Sequence, residues 1–281
     1  MNDESDKKPQ RFVALVLAAD RTNKDPITQH TGAACKAFAP VGGVPMVIRV
    51  LDTLAACDLI TTIILCGPPE TLLVHCPELK QRIASGQVIW LPNLDSPSRS
   101  AESGLSHVPS DTPVLLTTAD HALLTPSIVQ SFLQNSLTTQ CDATVGAIRQ
   151  QDIATAFPGS RRTIIHLRDG GFRGCNLFTF NPNGRALVRF WRQAEDLRKR
   201  PWRLIGQVLG FRSVFAYLFG FLTLQKALAS VSEKSGVKIQ VIMLDDPRAG
   251  LDIDKVEDLV LAESILNRKP YAFYSDNQSI E

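Results

Sequence analysis

The chain has 281 residues, 44% hydrophobic and 21% charged, with 30 Lys and Arg against 28 Asp and Glu. That much apolar material with so small a charge imbalance excludes a disordered or low-complexity chain, and it gives no global reason to expect nucleic acid as a partner. Cys35, Cys57, Cys66, Cys76, Cys141 and Cys175 are scattered, with neither a C-x-x-C pair nor zinc spacing, and read as small apolar residues in a reducing, cytoplasmic setting.

In chain order, residues 1–10 are charged and polar and read as a disordered leader rather than a signal peptide. Residues 12–19 (FVALVLAA) form a continuous apolar run suited to a buried strand. Residues 44–57 place Val47, Val50, Leu51 and Leu54 on one helical face. Further strands are predicted over 60–66, 87–91 and 113–119, and Thr125-Pro126 reads as a cap and first-turn proline opening a helix to residue 135. In the second half, 143–148, 163–167 and 175–180 have strand character, with a turn expected at Gly170-Gly171. A helix over 185–198, an apolar helical insert over about 200–235, a strand over 237–244 and an amphipathic helix over 256–266 complete one domain spanning 11–270, before a tail at 271–281. Strand-length runs alternating with helix-period segments indicate an α/β fold with a mostly parallel sheet covered by helices.

In such sheets, ligands bind at the carboxyl ends of the strands. The loop after the first strand begins Ala18-Ala19-Asp20-Arg21 and continues through polar residues to Lys36 and Pro40-Val41-Gly42-Gly43-Val44-Pro45-Met46. Its backbone amides and Lys36 could wrap a triphosphate, or it could be a surface loop with a solvated lysine. Asp120 ends an apolar strand, a position suited to Mg²⁺ or to an ordinary turn aspartate. In Asp252-Ile253-Asp254, extended alternation would point both carboxylates one way, although acids before a helix are favoured in any case. His121, a lone histidine after a strand, reads as a structural hydrogen-bonding residue. Arg161, Arg162, Arg168 and Arg173 could bind an anion or form a solvated face.

Taken together, LAAD-R, K-x-F-x-PVGG-x-PM, LLTTADH-x-LLTP, GCN-L-F and DID-K-V-ED-L resemble the MobA-like nucleotidyltransferases, of GT-A type fold, from about residue 12 to 266 apart from the insert. The resemblance implies a Rossmann-like three-layer sandwich. It also implies an Mg²⁺-dependent transfer of a nucleotide from a nucleoside triphosphate to a small phosphorylated acceptor, releasing pyrophosphate. Leu17, Ala18, Ala19, Asp20 and Arg21 would form the nucleotide loop, with Arg21 and Lys36 among the catalytic groups. Asp120, Asp254 and Asp252 would hold the metal, Ser98 and Ser100 would lie near base and ribose, and Gly174 and Asn176 would meet the acceptor. Asp20 departs from the pattern, standing where the family carries glycine, and a carboxylate there repels phosphate unless metal or Arg21 neutralises it.

Two rival readings are a glycosyltransferase, which shares the fold and has a similar acidic metal motif, and a non-catalytic nucleotide-binding or membrane-attached protein. The insert reads LIGQVLGFRSVFAYLFGFLTL over 204–224, after Arg198-Lys199-Arg200-Pro201-Trp202-Arg203. Gln207, Arg212 and three glycines argue against a membrane span. Peripheral contact with an anionic membrane face through about 200–225 is one reading; a buried helical pair or an oligomer contact is the other.

Overall fold

The structure is a computed structural model that describes residues 10–18, 25–158, 160, 162–196 and 210–267. The predicted leader, the C-terminal tail, Ala19, Asp20, Arg21, Arg161 and residues 197–209 of the insert region lie outside the described residues.

The first apolar run forms β1 (Phe12–Leu17), buried at all six positions, as expected for a strand covered on both faces. It lies centrally, between β4 (Ile60–Cys66) and β6 (Val114–Thr118), parallel to both, and β5 (Ile89–Leu91) extends the sheet from β4. On the other side of β6 runs β9 (Gly170–Phe180), antiparallel to β6, to β7 (Ala143–Arg149) and to β8 (Ile165–Leu167). With β10 (Ile239–Met243) parallel to β7, the order is β10-β7-β9-β6-β1-β4-β5, with β8 paired to β9. This is the expected α/β architecture with a mixed, mostly parallel sheet.

One face of the sheet is covered by α2 (Met46–Ala55), α3 (Pro77–Ala84), α5 (Pro126–Thr138) and α6 (Gln150–Ala156), through residues such as Leu51, Leu79, Phe132 and Ile153. The other is covered by α4 (Pro97–Ser106) and α7 (Ala186–Asp196), through Ala101, Leu105 and Val188. A smaller cluster joins α1 (Pro26–Thr31) to α10 (Val256–Asn267) through Ile27, Leu259 and Ala262. Helix α1 was not expected in a polar stretch; it forms because Asp25 caps it and Pro26 occupies its first turn.

Two local expectations are corrected. The hairpin turn before β9 is made by Arg168 and Asp169, and Gly170-Gly171 already belong to the strand. Gly42 and Gly43, at φ 57° and 78°, form the two-residue turn of a small hairpin, β2 (Pro40–Val41) with β3 (Val44–Pro45). Such a turn requires left-handed backbone at both central positions, which explains the glycine pair without any appeal to phosphate.

In the insert, α8 (Gly210–Leu218) and α9 (Leu224–Ser235) are linked by a bond between the Ser213 and Ser230 hydroxyls. Leu222 is buried, but Phe215, Tyr217, Leu218, Phe219 and Phe221 are each at least half exposed. The pair is therefore not a wholly buried one. No helix among the described residues is long and apolar enough to cross a membrane.

Candidate active site

Lys36 opens a 3-10 turn, Lys36–Phe38, whose Cys35, Ala37 and Phe38 neighbours are buried in the core. The β2–β3 hairpin then returns the chain so that the Met46 amide donates to the Ala39 carbonyl at 3.0 Å. The Gly-Gly hairpin therefore anchors the lysine's base, and neither glycine lines the cleft into which Lys36 projects.

Asp120 follows β6, where the Thr118 hydroxyl donates to its Oδ1 at 2.6 Å. Asp254 precedes α10 in an extended segment stitched to the first acidic loop: the Ile253 amide donates to the Asp120 carbonyl at 3.0 Å. Asp258 fixes the far side, accepting from the Asp254 and Lys255 amides at 3.0 Å each. Lys36 Nζ lies 2.8 Å from Asp120 Oδ2 and 2.8 Å from Asp254 Oδ1, so residues 84 and 218 positions apart in sequence converge on one cationic centre.

The electrostatics follow from that contact. Burial alone would lower the Lys36 pKa, but the Asp120 charge and the hydrogen bonds to Asp120 and Asp254 outweigh it and raise the pKa above the usual lysine value. Burial likewise works against the Asp120 carboxylate, yet Lys36 and the Thr118 hydroxyl hold its pKa below the usual range. Behind them His121 is buried, which pushes its pKa down, and the ring is neutral at pH 7. Neither ring nitrogen makes a hydrogen bond among the described residues, although the backbone of Arg248 and Ala249 approaches it. The contacts of His121 are thus with the backbone of Arg248 and Ala249, in keeping with a structural role rather than a catalytic one.

Asp252 faces the same cleft but belongs to a different set of contacts. Arg173 Nη2 donates to its Oδ1, Arg162 Nη1 lies 3.6 Å from that oxygen, and Asn176 Nδ2 donates to Oδ2 at 3.2 Å. Arg162 also reaches Asp258 at 2.9 Å. Both arginine side chains are almost fully buried, 4% and 11% exposed, so Arg162 and Arg173 form neither a solvated face nor a free anion site; they hold the acidic loop in place. Asp252 is therefore apart from the carboxylate pair on Lys36, contrary to its expected grouping with Asp120 and Asp254.

Asn176 lies in β9 at φ 45°, where the register against β7 slips between Val145 and Ala147. Such a bulge re-aims a side chain, and here it turns the Asn176 amide into the cleft. Gly174, two residues earlier, does not line the cleft, but a Cβ there would meet no atom within 4 Å. Ser98 and Ser100 are fully buried and do not reach the cleft. The Ser98 hydroxyl donates to Glu195 Oε2 of α7, and the Ser100 hydroxyl accepts from the Leu94 amide at 2.9 Å, so both brace α4; Pro97 is the residue of that turn at the cleft wall.

The cleft holds about 550 Å³ at the carboxyl ends of β1 and β6, within the usual range for small-molecule sites. Leu17, Ala18, Lys36, Asp120, Asn176, Asp252 and Asp254 line it, as do Asp25, Thr118, Phe178, Leu187 and Trp191, which the motif reading missed. Thr118 had a signal, a hydroxyl two residues before the aspartate; Trp191 had only its place on a helical face.

A family model described as the MobA-like NTP transferase domain matches residues 14–209, more than half of the chain. The chain belongs to this family. It is a nucleotidyltransferase by that membership. A solved structure described as a hypothetical transferase from Thermus thermophilus is 27% identical, with a TM-score of 0.74 over 89% of this chain and 100% of that one. Two more distant structures share the fold. The 4-diphosphocytidyl-2C-methyl-D-erythritol synthase of Anaerococcus prevotii is 14% identical, with a TM-score of 0.54 over 92% and 99%. A CMP:2-keto-3-deoxy-manno-octonic acid synthetase complexed with CTP is 10% identical, with a TM-score of 0.57 over 91% and 98%. No functionally curated protein matches the sequence.

Among the described residues no group of three or more His, Cys, Asp and Glu side chains is arranged to hold a metal. Mg²⁺, however, needs only one or two carboxylates when phosphates and water complete its shell. Asp120 Oδ2 and Asp254 Oδ1 already share one cation, the Lys36 ammonium, and this hard-oxygen pair fits Mg²⁺.

Proposed function

We propose that this MobA-like transferase moves the nucleotidyl group of a nucleoside triphosphate onto a phosphorylated acceptor and releases pyrophosphate. The observation that carries the reading is the Lys36 ammonium held between Asp120 and Asp254 in the cleft. Asp120 and Asp254 would hold Mg²⁺, which supplies charge neutralisation on the phosphates during in-line displacement at the α-phosphorus. Lys36, drawn from the carboxylates by the arriving phosphates, would contact them as a point charge. Leu17 and Ala18 lie at the end of β1, and Ala19, Asp20 and Arg21 continue the same segment as the nucleotide loop. Asn176, oriented by Asp252, would donate to the acceptor, so Asp252 acts as a positioning residue. An acceptor phosphate is already anionic and needs no strong general base, consistent with a buried, neutral His121.

The test is a thermal-shift panel of ATP, CTP, GTP and UTP with and without Mg²⁺, followed by a pyrophosphate-release screen on the nucleotide that binds. A Mg²⁺-dependent shift lost in Lys36→Ala is expected. No shift with any nucleotide would overturn the reading and favour a nucleotide sugar or a non-catalytic role.

We further propose that the protein contacts an anionic lipid surface through the exposed Phe215, Tyr217, Leu218, Phe219 and Phe221. Residues 197–232 contain six basic residues, Arg198, Lys199, Arg200, Arg203, Arg212 and Lys226, and no acid, whereas the whole chain is nearly balanced. Aromatic side chains beside concentrated positive charge suit an anionic interface. Co-sedimentation with phosphatidylglycerol vesicles but not phosphatidylcholine vesicles, lost in Phe219→Ser/Phe221→Ser, is expected. Failure to bind either vesicle, with concentration-dependent dimerisation lost in the same variant, would show a protein contact instead.

A further inference from the structure

The cleft is chemically divided. Its polar lining includes Lys36, Thr118, Asp120, Asn176, Asp252 and Asp254, and its apolar lining includes Leu116, Phe178, Phe180, Leu187, Val188 and Trp191. The apolar lining is built by two regular elements. Phe178 and Phe180 follow Asn176 on one face of β9, with Phe178 opposite Leu116 and Phe180 opposite Val114 of β6, while Cys175 and Leu177 point into the core beneath the other face. Opposite them, Leu187, Val188 and Trp191 share one face of α7 through their i, i+3 and i+4 spacing. From Asn176 to Phe180 the β9 side spans four strand residues, roughly 13 Å. Helix α7 is held against α4 by the Ser98–Glu195 bond and by an ion pair between Arg192 and Glu102 at 2.5 Å, so the far wall is anchored.

We propose that the acceptor is an amphiphile, a phosphomonoester bearing a hydrocarbon chain, with its phosphate among the polar side chains and its chain between β9 and α7. This deepens the transferase reading and rests on it for the phosphate end alone. A nucleobase fits the apolar wall poorly, because its edges need several hydrogen-bond partners and, of the side chains there, only the Trp191 indole N–H can donate one. The wall also lies on the β9 side of β6, across from Leu17 and Ala18, where the nucleotide loop begins. A chain of CH₂ groups satisfies such a wall by area alone, with affinity rising up to roughly fourfold for each methylene that becomes fully buried.

The experiment is calorimetric titration of the full chain with butyl, hexyl, octyl and decyl phosphate below their micelle concentrations, beside inorganic phosphate and decanol. The wild type, Leu187→Trp, which fills the channel, and Trp191→Ala, which widens it, are compared, and the thermal shift with each nucleoside triphosphate is recorded in parallel. Affinity is expected to rise at least tenfold from butyl to decyl phosphate in the wild type and to stop rising with length in Leu187→Trp, while the nucleotide shift persists. Should Leu187→Trp not fold, Trp191→Ala must weaken decyl phosphate more than butyl phosphate. Equal affinity across the series overturns the proposal, as does competition between decyl phosphate and the nucleotide, which would assign the wall to the base. A length-dependent series without any nucleotide shift would leave the amphiphile site standing and remove the transferase reading, so the two failures are distinct.

Discussion

Replacing Lys36 by methionine keeps the length of the side chain and removes the ammonium that Asp120 and Asp254 both contact. A fully exposed ion pair contributes about 1 kcal/mol or less, whereas breaking a fully buried one costs about 3–5 kcal/mol. With the Lys36 and Asp120 side chains 16% and 21% exposed, this pair falls between those limits. We therefore expect Lys36→Met to cost about 2 kcal/mol at pH 7, a fall in Tm of about 4–8 °C for a domain of this size class. Asp120→Asn should cost a similar amount, and the double variant less than the sum, with a coupling of about 1 kcal/mol or more in urea denaturation. The pH dependence has a definite sign. The Asp120 pKa is depressed on folding, so its stabilisation is fully present above the unfolded value of about 3.9 and lost only as pH falls through the lower folded value. The coupling should thus be the same at pH 7 and at pH 5.5. Mg²⁺ alone should raise the Tm of Lys36→Met more than that of the wild type, because the carboxylate pair has lost its competing cation. Additive costs to within about 0.5 kcal/mol would refute the ion-pair account.

Substitutions at three further positions test the surrounding frame. Asn176→Ala loses the bond to Asp252 and keeps a strained φ of 45°, whereas Asn176→Gly loses the bond but relieves the backbone; the glycine variant should be the more stable by about 1 kcal/mol in urea melts. Arg162→Met leaves Asp258 and Asp252 short of a buried partner and should cost about 3 kcal/mol, and a loss below about 1 kcal/mol would count against its structural role. Gly184→Ala would put a Cβ 1.9 Å from the Asp142 carbonyl oxygen, a backbone atom that cannot swing away, and should cost about 2–3 kcal/mol by thermal melting.

Much of the fold was legible because its strands are buried on both faces. The residue 60–66 run is β4 to the residue, and the Thr125-Pro126 cap opens α5 as read. Helix α1 was missed because its stability comes from Asp25 and from the single buried Ile27 rather than from an apolar stripe. At the site, the motifs led to Lys36, Asp120 and Asp254 because each stands beside a distinctive segment: Lys36 ahead of the PVGG turn, Asp120 after an apolar strand and Asp254 ahead of a helix. What they could not give was partnership. Asp252 and Asp254 are two residues apart and both face the cleft, yet one is held by Arg162 and Arg173 and the other by Lys36, a division set by side chains distant in sequence. Ser98 and Ser100 illustrate the same limit: a Ser-rich helix start looks alike whether its hydroxyls meet a ligand or, as here, brace the scaffold.

The reversed course of β9 has a consequence for how such a transferase can diversify. The parallel strands β1 and β6 deliver Ala18 and Asp120 from loops at their carboxyl ends, and the Ala119 amide bound to the Leu17 carbonyl ties those two ends together. The opposite wall comes from within an antiparallel strand whose register against β7 is already interrupted beside Asn176. Gain or loss of a residue pair there would slide Asn176 along the wall while preserving which side chains face inward. One half of the cleft can therefore stay fixed while the other is resized, which makes this strand the place to engineer, and the place to compare among relatives, to test the proposed acceptor side.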